Sequence, residues 1–297
     1  MNDKQLKYVL TLANERSFSR AAELLNITQP SLSQYIKKIE KEMGMELFDR
    51  SGGEVRITDA GRAFIDIGRK MLDLEHQLES SLSDIASFKS GTITIGISAH
   101  RSVALMPPVV KAFKALYPGI TLRVVEKSRR ELIEAAEQGE FDLVLTTLPV
   151  KDELFASETV FVEENVIAVP NDVVLPSQTL PERKYPAISA ASLNGLPFAM
   201  LNEDHLMQRK LQELIKTYAL QLKKEVECTS LEALVGMAKE GIGAAYIPAC
   251  LAKGEGLHFY SIRETVPKRV IVLIYRKEQY LSKAVRDLKD LMHEVLG

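Results

Sequence analysis

The hydrophobic positions of the first 57 residues fall into short helical runs. Leu6, Val9, Leu10 and Ala13 recur at the three- and four-residue spacing of one helix face, and Asn14-Glu15-Arg16-Ser17 breaks the run. Ser19 is placed to cap a second helix over 20–25, with Ala21, Ala22 and Leu25 turned inward. Asn26-Ile27-Thr28 predicts a turn. Gln29 and Pro30 open a third helix, at a position where a missing N–H costs nothing. Its apolar side is Leu32, Ile36, Ile39 and Met43, and Gly44 stops it. Residues 47–57, with Ser51-Gly52-Gly53-Glu54 in their middle, predict a small hairpin.

One long helical pattern covers 58–88. Thr58 is a natural N-cap, and Asp59 suits the positive end of the helix dipole. Ala60, Phe64, Ile67, Met71, Leu74, Leu78, Leu82 and Ile85 follow at mostly alternating spacings of four and three, the seam of a coiled coil. A single helix of this length is unstable without a partner, so Phe64, Ile67, Met71, Leu74, Leu78 and Leu82 are expected to pair with a second copy. The alternative is a long surface helix packed on its own protein.

From residue 91 strands and helices alternate. Strands are expected at 92–97, 120–125 and 141–145, with helices at 107–116 and 131–138 between them. That βαβαβ order implies a parallel sheet with right-handed crossovers. A second set places strands at 166–169, 197–201, 225–228 and 244–247 and helices at 205–218 and 231–239. Pro176, Pro181 and Pro186 make the stretch 170–197 irregular, and a strand at 270–275 and a helix at 281–296 close the chain. The expected organisation is a small helical domain over 1–57, a linker helix over 58–88 and an α/β domain over 91–297. Within the last, one subdomain takes 91–163 and 268–297 and the other 164–267. The chain would cross between them near Glu163–Asn165 and near Val266–Pro267, a two-crossover hinge.

Composition narrows the class. The 297 residues are 46% hydrophobic and 26% charged, which suits a globular multidomain chain and excludes a disordered or fibrous one. With 38 basic and 40 acidic side chains the net charge is −2, so no globally basic nucleic-acid coat exists. Two cysteines, Cys228 and Cys250, make no disulfide framework. Neither a signal peptide nor a run long enough to span a membrane is visible, so a cytoplasmic protein is expected.

Two short helices, a turn and a third helix make a helix-turn-helix. Short hydroxyl and amide groups near the start of the third helix suit base edges, and lysines further along suit phosphates. Gln29, Ser31, Ser33 and Gln34, with Thr28 and Pro30 beside them, are the candidate reading residues. Lys37, Lys38, Arg16, Arg20, Arg50 and Arg56 are the candidate phosphate contacts. Charge alone does not decide this, because residues 1–60 hold nine basic and nine acidic side chains.

The segment Phe18-Ser19-Arg20-Ala21-Ala22-Glu23-Leu24-Leu25-Asn26-Ile27-Thr28-Gln29-Pro30-Ser31-Leu32-Ser33-Gln34-Tyr35 strongly resembles the signature of LysR-type transcriptional regulators. The resemblance continues through Gly44-Met45-Glu46-Leu47-Phe48-Asp49-Arg50 and Thr58-Asp59-Ala60-Gly61 and, more weakly, in Gly241-Ile242-Gly243-Ala244-Ala245-Tyr246-Ile247-Pro248. It implies a winged helix-turn-helix, a dimerising linker helix and a periplasmic-binding-protein-like effector domain of two α/β subdomains. It also implies a homodimer or homotetramer that bends promoter DNA and contacts RNA polymerase under the control of a small inducer. The family commonly carries a second basic residue three positions after the wing arginine. Gly53 stands there, which shifts that contact toward Arg56.

In an open parallel sheet, ligands bind beyond the carboxyl ends of the strands. Ser98, His100, Arg101 and Ser102 follow the first strand, Ser128 the second, and Thr146 and Thr147 the third. Asn202, Thr229, Tyr246 and Pro248 take the corresponding places in the other half. A helix start with hydroxyls and an arginine suits an anion, so an anionic effector is expected, although such hydroxyls also serve merely as helix caps. Enzyme readings find no support. The histidines and cysteines show no metal spacing, Gly241-Ile242-Gly243 precedes a strand, and Ser98 with His100 lacks a third catalytic member. No catalytic residue, metal or cofactor is expected. The competing readings are a solute-binding-like protein or small-molecule enzyme with a helical arm, and a structural DNA binder.

Overall fold

The computed structural model describes residues 3–50, 55–85, 90–264 and 268–297. Two compact units emerge, one built on residues 1–89 and one on most of the rest.

The N-terminal unit consists of α1 (Asp3–Glu15), α2 (Phe18–Leu24), α3 (Gln29–Met43), β1 (Phe48–Asp49), β2 (Arg56–Ile57) and α4 (Asp59–Ile85). Its core is Val9, Leu12, Ala21, Leu32, Ile36, Ile39, Leu47, Phe48 and Ile65. Two sequence expectations change. Ser17 rather than Ser19 caps α2, its side chain accepting from the Arg20 N–H, and the helix starts at Phe18. Met43 is exposed, because Gly44 turns left-handed (φ 69°) and leaves the last turn of α3 overhanging. The hairpin is reduced to two two-residue strands, Phe48 opposite Ile57 and Asp49 opposite Arg56, and its expected Gly52-Gly53 turn lies outside the described residues.

Thr58 starts α4 by accepting from the Gly61 N–H at 2.9 Å. The first turns of α4 belong to the globule, with Ile65 buried and Ala60 and Phe64 packed partly against the core. Phe64 is therefore shared with its own domain rather than given wholly to a dimer seam. Further along, Ile67, Met71, Leu74 and Leu78 are 40–63% exposed, an apolar stripe on the solvent side. The Leu82 side chain lies outside the described residues.

The C-terminal unit has two sheets. The first has the order β4 (Ile120–Glu126), β3 (Gly91–Ile97), β5 (Leu143–Thr147), β13 (Arg269–Arg276), β6 (Phe155–Glu163). β3 runs parallel to β4 and β5, as the βαβαβ pattern requires, while β13 is antiparallel to β5 and β6. α5 (Ala99–Leu116), α6 (Arg129–Glu137) and α9 (Lys283–Leu296) belong to this half. The second sheet has the order β11 (Ala245–Pro248), β7 (Asn165–Pro170), β12 (Leu257–Ile262), β8 (Ala187–Ile188), with α7 (Leu206–Tyr218) and α8 (Leu231–Lys239). β9 (Pro197–Leu201) pairs in parallel with β10 (Lys223–Cys228) and bridges to Ala244, just ahead of β11. The chain leaves the first sheet at Glu163 and enters the second at Asn165; it returns between Ile262 and Arg269. Val266 and Pro267 lie outside the described residues.

Three differences from the sequence reading matter for the site. α5 begins at Ala99, not Pro107, so Pro107 and Pro108 sit inside it. Pro108 has no N–H for the Ala104 carbonyl, and the Lys253 ammonium donates to that carbonyl instead at 3.2 Å. β5 ends at Thr147, two residues later than expected. β6 and β12 were not expected at all; β6 mixes buried and half-exposed positions along an edge, which blurs its alternation.

α4 crosses the wing base so closely that a Cβ on Gly61 would stand 2.1 Å from the Leu47 carbonyl oxygen. We expect Gly61→Ala to lower stability by about 1–3 kcal/mol through overpacking. A denaturation midpoint equal to wild type would contradict this contact.

Candidate functional site

The first candidate surface is on α3. Burial of Leu32, Ile36 and Ile39 fixes one face, so Gln29, Pro30, Ser31, Gln34, Lys37 and Lys38 are exposed and Ser33 is half-buried. The Thr28 hydroxyl serves the helix itself, accepting from the Ser31 N–H at 3.3 Å and meeting the Ser31 hydroxyl at 2.8 Å. Arg16, Arg20 and Arg56 are exposed.

Arg50 has an intramolecular partner that the sequence did not reveal. Its Nη2 donates to Glu40 Oε2 at 2.8 Å and its guanidinium lies 4.9 Å from the Phe18 ring. The other Glu40 oxygen accepts from the Leu47 and Phe48 N–H groups at 3.0 and 3.1 Å. A half-buried carboxylate needs a cation, so Arg50 secures the base of the wing through one of its five N–H donors while its side chain stays 29% exposed.

The second candidate site lies where the chain passes between the two sheets. Ser98 precedes α5 in extended conformation without capping it, and its hydroxyl accepts from Arg101 Nη1 at 3.4 Å. Arg101 is 4% exposed. Its Nη2 donates to Glu163 Oε2 at 2.9 Å, and Arg269 Nη2 donates to the same oxygen at 2.5 Å. Glu163 Oε1 accepts from the Cys250 N–H at 3.1 Å. Beside them Asn165 Nδ2 donates to the Tyr246 hydroxyl at 3.1 Å, and His205 Nδ1 accepts from the Met207 N–H at 3.1 Å.

These contacts set the electrostatics. Burial alone would raise the Glu163 carboxyl, but Arg269 and Arg101 outweigh it and hold it at about 2. Burial, reinforced by Arg101 and Arg269, lowers His100 to about 3, so its ring is neutral. His205 is lowered by burial and Arg269. Burial pushes the Tyr246 hydroxyl up to about 12.

The expected effector residues therefore divide. His100, Arg101 and Tyr246 join this cluster, with Ser98 at its edge. Arg101 is turned inward onto Glu163 rather than outward toward a ligand, a correction that follows from its burial beside a buried carboxylate. Ser128 caps α6, accepting from the Glu131 N–H at 3.4 Å. Thr146 and Thr147 are buried strand residues, not a loop, and the Thr147 hydroxyl accepts from Arg129 Nε at 3.2 Å. Asn202 is half-buried at the end of β9, Ser102 is half-buried on α5, Thr229 is exposed and Pro248 is buried. The sequence reading missed Glu163, Asn165 and Arg269 as site residues. The pair Glu163-Glu164 at a strand-to-strand crossing, and the Arg269 that opens an otherwise apolar strand, were the available signals.

Residues 4–62 match the family model described as the bacterial regulatory helix-turn-helix protein, lysR family, and residues 86–297 match the LysR substrate binding domain. The chain belongs to the LysR family. This LysR protein is a transcriptional regulator, not an enzyme, of a kind that binds DNA and responds to effectors. It is 30% identical to the HTH-type transcriptional regulator YcgK of Bacillus subtilis (strain 168), over 100% of this chain and 95% of that one. It is 28% identical to the hydrogen peroxide-inducible genes activator of Haemophilus influenzae, over 93% of this chain and 91% of that one. Its fold is that of full-length CbnR complexed with target DNA, with a TM-score of 0.60 at 18% identity, over 99% of this chain and 100% of that one. Among the described residues no helix of this LysR regulator is long and apolar enough to cross a membrane.

The neutral His100 gives the effector domain an acid sensitivity. With a folded pKa near 3 against an ordinary 6.5, protonation favours the unfolded chain, so stability declines as the pH falls below 6.5. His205 acts in the same direction. Glu163, held near 2 against 4.5, adds a further loss as the pH falls from 4.5 toward 2. His100→Gln should flatten the decline between pH 6.5 and 4.5. Denaturation curves across that interval with an unchanged slope would show that His100 is not buried neutral.

Proposed function

We propose that this regulator binds promoter DNA as a dimer or tetramer in the cytoplasm, with α3 in the major groove. The observation that supports this reading is the division of α3 into a buried apolar face and an exposed face carrying Gln34, Lys37 and Lys38. In it, Gln29, Ser31, Ser33 and Gln34 meet base edges, while Lys37, Lys38, Arg16, Arg20 and Arg56 meet phosphates. Paired modules double the phosphate contacts and fix half-site spacing. The exposed stripe Ile67, Met71, Leu74 and Leu78 suits pairing with a second copy. A small anionic effector bound beside Glu163 would change the bend of the DNA and the contact with RNA polymerase.

The named activator of peroxide-inducible genes suggests another signal, oxidation of a thiol. The cysteines here do not favour it. Burial raises both Cys228 and Cys250, and Cys250 stands at about 12, with Glu163 adding to the effect of burial. Peroxide chemistry needs a thiolate, so a bound molecule is the better reading of the signal.

Binding to the duplex upstream of the protein's own coding region tests the DNA half. Gln34→Ala should relax sequence preference, whereas Lys37→Ala should weaken binding to all sequences and reduce the salt slope by about one contact per protomer. Equal weakening on every sequence by Gln34→Ala would count against base reading. Leu74→Asp should convert the protein to monomers in sedimentation, and a variant that stays dimeric would reject the α4 pairing.

A further inference from the structure

Helix α5 carries two adjacent prolines, Pro107 and Pro108, within its 18 residues. Proline has no N–H, so the carbonyls of Val103 and Ala104, four residues earlier, lose their usual helical partners. Val103 is 67% exposed, and water can serve its carbonyl. Ala104 is half-buried, and its carbonyl accepts from the Lys253 ammonium at 3.2 Å. Lys253 follows the short 3-10 turn Ala249–Leu251, which leads out of β11 in the second sheet. The bond therefore joins a helix of the first half to a loop of the second.

A second tie lies three residues earlier on both partners. Glu163 accepts from Arg101 of α5 at 2.9 Å and from the Cys250 N–H at 3.1 Å, so one carboxylate links the start of α5 to the start of the turn. Arg101 and Ala104 are about 4.5 Å apart along the helix axis. The two ties have different duties. Glu163 is itself part of the crossing, and Arg269, which opens the returning strand, stands opposite it in the β6–β13 register. The two chain crossings are therefore side by side, a narrow hinge of the kind that a few residues can turn. A tie at the hinge fixes where the halves meet but not their angle. The Lys253–Ala104 bond is displaced from that point, and a second attachment resists rotation about the first.

We infer that Lys253 is a positioning residue for the effector response: its ammonium, seated on the carbonyl that Pro108 leaves open, holds the second half of the effector domain at a set angle to the first. The bond is also one that can be released. It is exposed, so water competes for both partners and its net contribution is small, unlike that of the buried Glu163 ties. A rearrangement of the halves can break it without stranding a buried charge. The inference concerns the hinge and holds whichever molecule the domain senses.

Hydrogen exchange of the full-length protein, read by mass spectrometry, tests this. Lys253→Met keeps the apolar stem and removes the donor. It should speed exchange by about threefold or more at 249–252 and also at the crossing, 163–166, which is remote from Lys253 in sequence. Amides of β3 and β12, inside the two sheets, should keep their wild-type rates. Lys253→Arg, which retains a cationic donor, should keep wild-type rates everywhere. Pro108→Ala returns a helical N–H to the Ala104 carbonyl, so in that background Lys253→Met should lose about half of its effect or more. A change confined to 249–252 would reduce Lys253 to a local tie, and faster exchange throughout both sheets would mark a general loss of stability; either result overturns the inference. So would unchanged rates at every site, failure of Lys253→Arg to preserve them, or an equal effect of Lys253→Met in the two backgrounds.

Discussion

The Glu163 carboxylate holds the C-terminal unit together. It sits at the last residue of β6, where the chain leaves one sheet for the other. It accepts from Arg101 and Arg269 on the first sheet's side and from the Cys250 backbone on the second. A buried carboxylate with these partners is tolerable only because each oxygen is satisfied; losing one arginine would leave an ion stranded in a low-dielectric interior. Coulombic attraction and hydrogen bonding therefore fix the crossing point, while apolar burial builds the sheets on either side. The two kinds of interaction act at different places, and the polar one acts where the halves meet.

The N-terminal unit uses charge in a parallel way. Glu40 holds the wing base through Leu47, Phe48 and Arg50, much as Glu163 holds the crossing. One consequence concerns DNA. A domain with as many acidic as basic residues has no net attraction for phosphate, so its attraction must be local. Glu40 faces inward to Arg50, while Glu23, Glu42, Glu46 and Asp59 are exposed, Glu42 lying 4.0 Å from Lys38. Lys37, Arg16, Arg20 and Arg56 stay exposed. Local potential, not net charge, is what a phosphate meets.

Elements that bury one face at helical spacing were legible in the chain. α1, α3 and α4, the cap at Thr58 and the stop at Gly44 are local events, decided within a few residues. The parallel core of the first sheet was legible for the same reason. Edges and partners were not. β6 and β12 lie in stretches whose alternation is weak, and α5 begins eight residues before Pro107, with the Ala104 carbonyl that Pro108 cannot serve accepting from a lysine distant in sequence. Arg101 was visible as a residue at a strand end, yet its partners Glu163 and Arg269 are remote in sequence. No local pattern reveals a charge pair closed by topology. Thr147 looked like a loop hydroxyl only because the strand end was placed two residues short.

This arrangement bears on how a bound molecule could act as a signal. A ligand shifts a conformational equilibrium only by the difference in its affinity for the two states. A molecule held solely by the first sheet would bind equally whether the halves were open or closed, and it would carry no information. The residues with unmet hydrogen-bonding capacity come from both sides of the crossing: Arg101 and His100 from α5, Arg269 from β13, Asn165 from β7. A ligand that engages them together prefers the geometry in which all four converge. Glu163 makes that preference conditional on charge, because it already neutralises one arginine. The residue that closes the crossing thus also determines how much positive charge any molecule held there would meet.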